Sequence, residues 1–76
     1  NTLNVFPNPA NNGLVTVNVE TATDVLIVRN TLGQAVLTIN NPSTIENINI
    51  SSLESGVYFV EAIKGNHKLT QKLIVQ

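Results

Sequence analysis

The chain has few of the residues on which most protein chemistry depends. Its 76 residues include no cysteine, one histidine, three aromatic side chains and nine charged ones. Without cysteine, neither a disulfide framework nor a thiolate metal site is available. Four basic residues against five acidic ones give a net charge of −1, which provides no basic footprint for nucleic acid. No apolar run approaches the ~20 residues of a membrane span. We therefore expect neither nucleic-acid binding nor direct membrane insertion.

The length fits one small domain, because a second hydrophobic core requires a longer chain. We therefore treat residues 1–76 as a single domain. The first residue is Asn1 and no signal-peptide pattern opens the sequence, so we expect the domain to be a piece of a longer protein.

The composition favours β-structure. Ten Val, seven Ile and eight Thr make about a third of the residues β-branched, and twelve Asn supply much of the polarity. Branched side chains pack well on a pleated surface, and Asn tolerates the backbone of tight turns. The sequence therefore predicts an all-β protein with Asn-rich turns.

Turn signals divide the chain into seven apolar segments. The breaks are rich in Pro, Gly, Asn and Ser, and they fall at residues 7–13, 21–23, 30–33, 40–43, 51–56 and 65–66. The segments between them, which we predict to be strands, are residues 3–6, 14–20, 24–29, 34–39, 45–50, 57–64 and 67–75.

Alternation within these segments indicates strands packed into two sheets. Segment 14–20 alternates Val with Thr and Asn, which is a period of two. Residues 24–28 are apolar on both faces and predict a central strand. One sheet alone would leave an apolar face in water, so we predict a seven-stranded antiparallel β-sandwich, immunoglobulin-like in type. Tyr58 and Phe59 are adjacent and must face opposite sides. We expect plain packing for Phe59 and leave the environment of Tyr58 open.

Groups that could carry catalysis are scattered. His67 follows Gly65 and Asn66 at a predicted hairpin tip, which is typical of a solvated turn residue and not of a general base. The five carboxylates stand singly at strand ends and turns. The sequence contains no calcium-loop pattern and no phosphate-binding glycine motif. We therefore expect no catalytic residue, no metal ion, no cofactor and no enzymatic activity.

Lys68 and Lys72 are the most notable charged pair. Four residues apart in a strand, they lie on one face and about 13 Å from each other. On an edge strand such lysines commonly prevent pairing with other chains. A role in recognition is the alternative.

Several motifs follow one another in a set order, with V-F-P-N-P-A at 5–10, a glycine-centred segment at 25–36, I-N-I-S-S-L-E-S-G-V-Y-F-V at 48–60 and K-L-T-Q-K-L-I-V-Q at 68–76. This ordered set resembles the C-terminal sorting domain of type IX secretion cargo (type A, also called the Por secretion system domain) from Bacteroidetes. The resemblance covers essentially all 76 residues. The family often has Asp and Arg around the central glycine, whereas this chain has Asn30 and Gln34, which removes a possible ion pair.

The resemblance implies a non-enzymatic secretion signal that follows an N-terminal cargo domain in the same chain. Such domains pass through the periplasm, where the type IX translocon of the outer membrane recognises them in the folded state. A sortase-like peptidase then removes the domain, and the cargo reaches the cell surface or the medium. The resemblance concentrates the recognition signal toward the C-terminal end, on Gly56, Tyr58, Lys68, Lys72, Leu73, Ile74 and Val75. A terminal strand with exposed backbone groups also suits strand addition or edge docking.

Two other functions stay open. The domain could be an ancillary carbohydrate-binding-like sandwich of a secreted hydrolase, which would need an aromatic platform or a cation site, and Tyr58 is the only candidate. It could also be a spacer between cargo and surface, in which case trimming the tail would be harmless.

Overall fold

A computed structural model describes residues 3–8, 10, 13–20 and 22–76. Six residues of the predicted domain lie outside the described residues, and four of them belong to its first two predicted turns. They are Asn1, Thr2, Pro9, Asn11, Asn12 and Thr21. The strands are β1 (Leu3–Phe6), β2 (Leu14–Val19), β3 (Val25–Arg29), β4 (Ala35–Asn40), β5 (Ile45–Asn49), β6 (Gly56–Lys64) and β7 (His67–Val75). All seven predicted segments are confirmed, with each boundary within one residue of its predicted position.

The strands form two antiparallel sheets. The three-stranded sheet has the order β1-β2-β5, and the four-stranded sheet has the order β4-β3-β6-β7. The predicted all-β sandwich is therefore confirmed, and β3 lies between two neighbours as expected for a segment that is apolar on both faces. No helix within the described ranges has the length and apolar character needed to span a membrane.

The core lies between the sheets, where alternate residues of each strand meet. The largest fully buried side chains among the described residues are Leu26, Ile50, Leu73, Val15, Val17, Val28 and Val60. The burial pattern of β3 alternates strictly between buried and half-buried residues. This alternation follows from the pleat, which directs successive side chains to opposite faces.

The two adjacent aromatic residues of β6 face opposite sides, as expected. Tyr58 is only 8% exposed and belongs to the core, whereas Phe59 is half-buried on the outer face of the four-stranded sheet. The environment of Tyr58, which the sequence left open, is therefore the core. Residues 57–60 are apolar on both faces, so the sequence alone does not fix which face is inward. Val60 and Ala62 are buried, and Tyr58 shares their face because the side-chain period is two.

The two ends of the sandwich carry different loops. Gly56 pairs with Val75 and Arg29 pairs with Phe59, so the β5–β6 loop, the β3–β4 turn and the end of β7 lie together. We call this the C-terminal end. Leu3 pairs with Val19 at the opposite end, where β1 begins.

Candidate functional site

The strand β7 is at the edge of the four-stranded sheet, and residues from the first turn cover the C-terminal half of that edge. The Ala10 backbone N–H donates to the Ile74 carbonyl at 2.8 Å, and the Gln76 N–H donates to the Ala10 carbonyl at 2.9 Å. These two bonds make Ala10 a parallel bridge partner of Val75. The first segment of the chain therefore belongs to both sheets, because β1 pairs with β2 and Ala10 pairs with β7.

Asn8 extends this cover with its side chain. Its Nδ2 donates to the Lys72 carbonyl at 2.8 Å, and its Oδ1 accepts from the Ile74 N–H at 3.1 Å. A side-chain amide has the same donor and acceptor as a peptide group, so Asn8 takes the place of one residue of a neighbouring strand. We call Asn8 and Ala10, with these four hydrogen bonds, the edge clasp.

The other half of the β7 edge is open. No described residue pairs with the outer edge of β7 between Lys68 and Thr70. The exposed backbone that suits strand addition is therefore confined to this half.

Three of the seven predicted recognition residues face the core. Tyr58, Leu73 and Val75 are buried. The Tyr58 hydroxyl donates to the Glu54 carbonyl at 2.7 Å, which is the tyrosine corner known from immunoglobulin-like sandwiches. In the folded domain these three side chains pack in the core between the sheets. A part in recognition stays a prediction for them. The buried Tyr58 ring also provides no carbohydrate platform.

Gly56 begins β6 opposite Val75, with a φ of +154°. A Cβ added there would meet no atom within 4 Å. The requirement for glycine at this position is therefore conformational, since side-chain residues rarely adopt such a φ.

The remaining three predicted residues, Lys68, Lys72 and Ile74, lie on the outer side of β7. Lys68 Nζ is 4.0 Å from the Glu61 carboxylate, and the Arg29 guanidinium Nε is 3.1 Å from the same group. The Glu61 side chain is only 12% exposed, so its carboxylate interacts with both cations while largely shielded from water. Within the described residues, Lys72 has no carboxylate within 4 Å. No local sequence pattern predicts the contact between Arg29 and Glu61, because the pairing of β3 with β6 brings them together.

The β3–β4 turn, residues 30–34, is held by the side chain of Asn30. Its Oδ1 accepts from the backbone N–H of Leu32 and of Gln34, both at 3.0 Å, and its Nδ2 donates to Gln34 Oε1 at 3.0 Å. The Asn30 and Gln34 side chains are thus joined by a neutral hydrogen bond. Gly33 adopts a φ of +86°, which favours glycine.

Two further features fix the direction of this turn. Arg29 Nη1 donates to the Gly33 carbonyl at 3.0 Å, which ties the turn to the outer face of the sheet. Val28 pairs with Leu37 while Arg29 pairs with Ala35, so β4 has one extra residue there, as in a β-bulge. At the tip of the turn, Leu32 is 81% exposed.

The outer face of the three-stranded sheet has a different character. Its described side chains are uncharged, and they are Asn4, Phe6, Leu14, Thr16, Asn18, Ile45, Asn47 and Asn49. Thr16 Oγ1 donates to Asn47 Oδ1 at 2.8 Å. By contrast, three of the four basic residues, Arg29, Lys68 and Lys72, lie on the outer face of the four-stranded sheet.

Metal-ligating side chains do not gather. No three His, Asp or Glu side chains of the described ranges are placed to hold a metal ion. His67 is exposed in the hairpin between β6 and β7, as the sequence predicted.

Comparison with known proteins gives one result. The family model for the secretion system C-terminal sorting domain matches residues 4–76. The match begins in β1 and extends through all seven strands to the last residue. No curated protein matches the chain.

Proposed function

The chain belongs to the family of secretion system C-terminal sorting domains, and on this premise we propose that residues 1–76 act as one folded domain that the type IX translocon recognises. Family membership makes the chain a type IX sorting signal of Bacteroidetes, attached to an N-terminal cargo that is exported to the cell surface or the extracellular space. Passage through the periplasm, recognition by the translocon and removal by a sortase-like peptidase are the further steps of our proposal. The family is one of sorting signals and not of known enzymes.

The observation that supports this proposal best is the position of β7. The strand lies at a sheet edge, with Lys68, Lys72 and Ile74 outward, and no described residue pairs with the N-terminal half of its outer backbone edge. A partner can therefore contact both side chains and backbone of the last strand, as in recognition by β-strand addition. The edge clasp and the buried side chain of Leu73 hold the strand against the rest of the domain.

Export of a reporter tests the proposal. Residues 1–76 are fused behind a periplasmic reporter with its own signal peptide and expressed in a type IX-competent bacterium. We expect the reporter outside the outer membrane, in a form shortened by removal of the domain. In a strain without a working translocon it should stay in the periplasm. Periplasmic retention in the competent strain would contradict the proposal.

A second pair of variants separates a signal from a spacer. Deleting residues 72–76 should abolish export, but it also removes the fully buried Leu73 and so unfolds the domain. The double substitution K68Q/K72Q keeps the fold, because both side chains are exposed. We expect it to lower export, and export unchanged by both variants would favour the spacer.

A further inference from the structure

The most exposed large apolar side chain of the described residues is Leu32, at 81%. Turn tips are normally occupied by Gly, Asn, Asp or Ser, because these residues suit turn backbones and stay hydrated. The Leu32 side chain lies outside the core and, being apolar, forms no hydrogen bond with a backbone group. Its side chain is therefore free to contact another molecule.

Leu32 is also held in place before any partner arrives. Asn30 Oδ1 accepts from the Leu32 backbone N–H at 3.0 Å, and the Gly33 N–H donates to the Asn30 carbonyl at 3.0 Å. The guanidinium of Arg29 fixes the Gly33 carbonyl from below. A rigid backbone loses little conformational entropy on binding, which raises the affinity gained from one side chain.

The surface beside the turn has an unbalanced positive charge. Arg29, Phe59 and Lys72 are in register across three neighbouring strands, so the Cα atoms of Arg29 and Lys72 are about 10 Å apart, at two strand spacings. Arg29 is neutralised by Glu61, whereas Lys72 lacks a carboxylate among the described residues. A complementary surface would carry an acidic group opposite Lys72.

From these contacts we propose that Leu32 is an anchor residue that enters an apolar pocket on a protein of the secretion machinery, next to a carboxylate of that protein that pairs with Lys72. The inference rests on the proposed function and adds the chemistry of the partner. A single leucine on a rigid turn matches a pocket of a folded protein, in which anchor residues are enclosed. A glycan has no such pocket, and a bilayer would call for several apolar side chains together with several unpaired cations.

Export of the full-length chain with its own cargo tests the anchor. Leu32→Thr is compared with the matched control Leu14→Thr, since Leu14 is 55% exposed on the outer face of the three-stranded sheet. We expect Leu32→Thr to slow export about tenfold, as truncating an interface anchor does, and Leu14→Thr to have little effect. Leu32→Met, which keeps an apolar side chain of similar size, should restore export.

The outcomes separate the two proposals. If the wild-type chain is not exported, the proposed function fails. If the wild-type chain and Leu32→Thr are exported at equal rates, the anchor is refuted while the sorting function stands. Photo-crosslinking provides an independent readout, with a benzophenone amino acid at position 32 or at position 14. A protein adduct from position 32 alone supports the anchor, whereas adducts with lipopolysaccharide only, or no adduct, overturn it.

Discussion

Asn8 holds the last strand through its side chain alone, so Asn8→Ala removes that contact and leaves the Ala10 bridge in place. The substitution deletes one donor, to the Lys72 carbonyl, and one acceptor, from the Ile74 N–H. A hydrogen bond contributes about 0.5–1.5 kcal/mol net to stability. Both backbone groups lie at an exposed edge and can bind water after the truncation. We therefore expect the free energy of unfolding to fall by about 1 kcal/mol, near the low end of the sum for two bonds.

Hydrogen exchange measures the effect at a single amide. The acceptor of the Ile74 N–H is Asn8 Oδ1, so in Asn8→Ala that amide should exchange at least about fivefold faster, the factor that corresponds to ~1 kcal/mol. The Leu73 amide is the internal control, because alternate backbone groups of β7 face β6. Asn18→Ala is the matched variant, since Asn18 lies on the outer face of the three-stranded sheet. Unchanged protection of Ile74, with an unchanged midpoint in urea, would refute the clasp.

Three further variants test other contacts. Thr23→Val should raise the free energy of unfolding by about 1 kcal/mol, because the buried Thr23 Oγ1 has no hydrogen-bond partner within the described residues. A lower free energy of unfolding, measured by urea denaturation, would contradict this. Tyr58→Phe should cost about 1–2 kcal/mol by removing the bond to Glu54, yet export at a temperature where the variant is folded should equal that of the wild type. The double variant Asn30→Asp/Gln34→Arg should raise the free energy of unfolding by about 0.2–1 kcal/mol at low salt, because it introduces an ion pair. Stabilisation that persists in 1 M salt would exclude an ion pair as its cause.

The strands could be predicted because their signals are local. In β2, Val alternates with Thr and Asn, and in β4–β5 a turn is marked by Pro42 and by Asn41, which adopts a φ of +51°. Such patterns depend on residues that are close in sequence. The choice between Tyr58 and Phe59 does not, because residues 57–60 are apolar on both faces and only packing against the three-stranded sheet decides which face is inward.

The candidate site was predictable only in part, for the same reason. The period of two correctly placed Lys68 and Lys72 on one face of β7. The edge clasp joins Asn8 to residues 64 and 66 positions later, and no local pattern connects them. Glu61 lies 32 positions after Arg29, and the contact between their side chains depends on the register of β3 and β6. The turn motif at residues 30–33 is defined by its Asn and Gly, and no sequence pattern predicts the exposure of Leu32.

The edge clasp also determines how the domain responds to mechanical force. β1 begins at one end of the sandwich and β7 finishes at the other, and the chain at Ala10 is parallel to β7 at Val75. A cargo that pulls on β1 while a partner holds β7 therefore strains the clasp along the strands, and its hydrogen bonds lie across the direction of pull. Bonds in this shear geometry carry the load together, whereas a hairpin opened from its free end loses them one at a time. For a force applied between β1 and β7, the clasp is thus loaded in shear and is not opened one bond at a time.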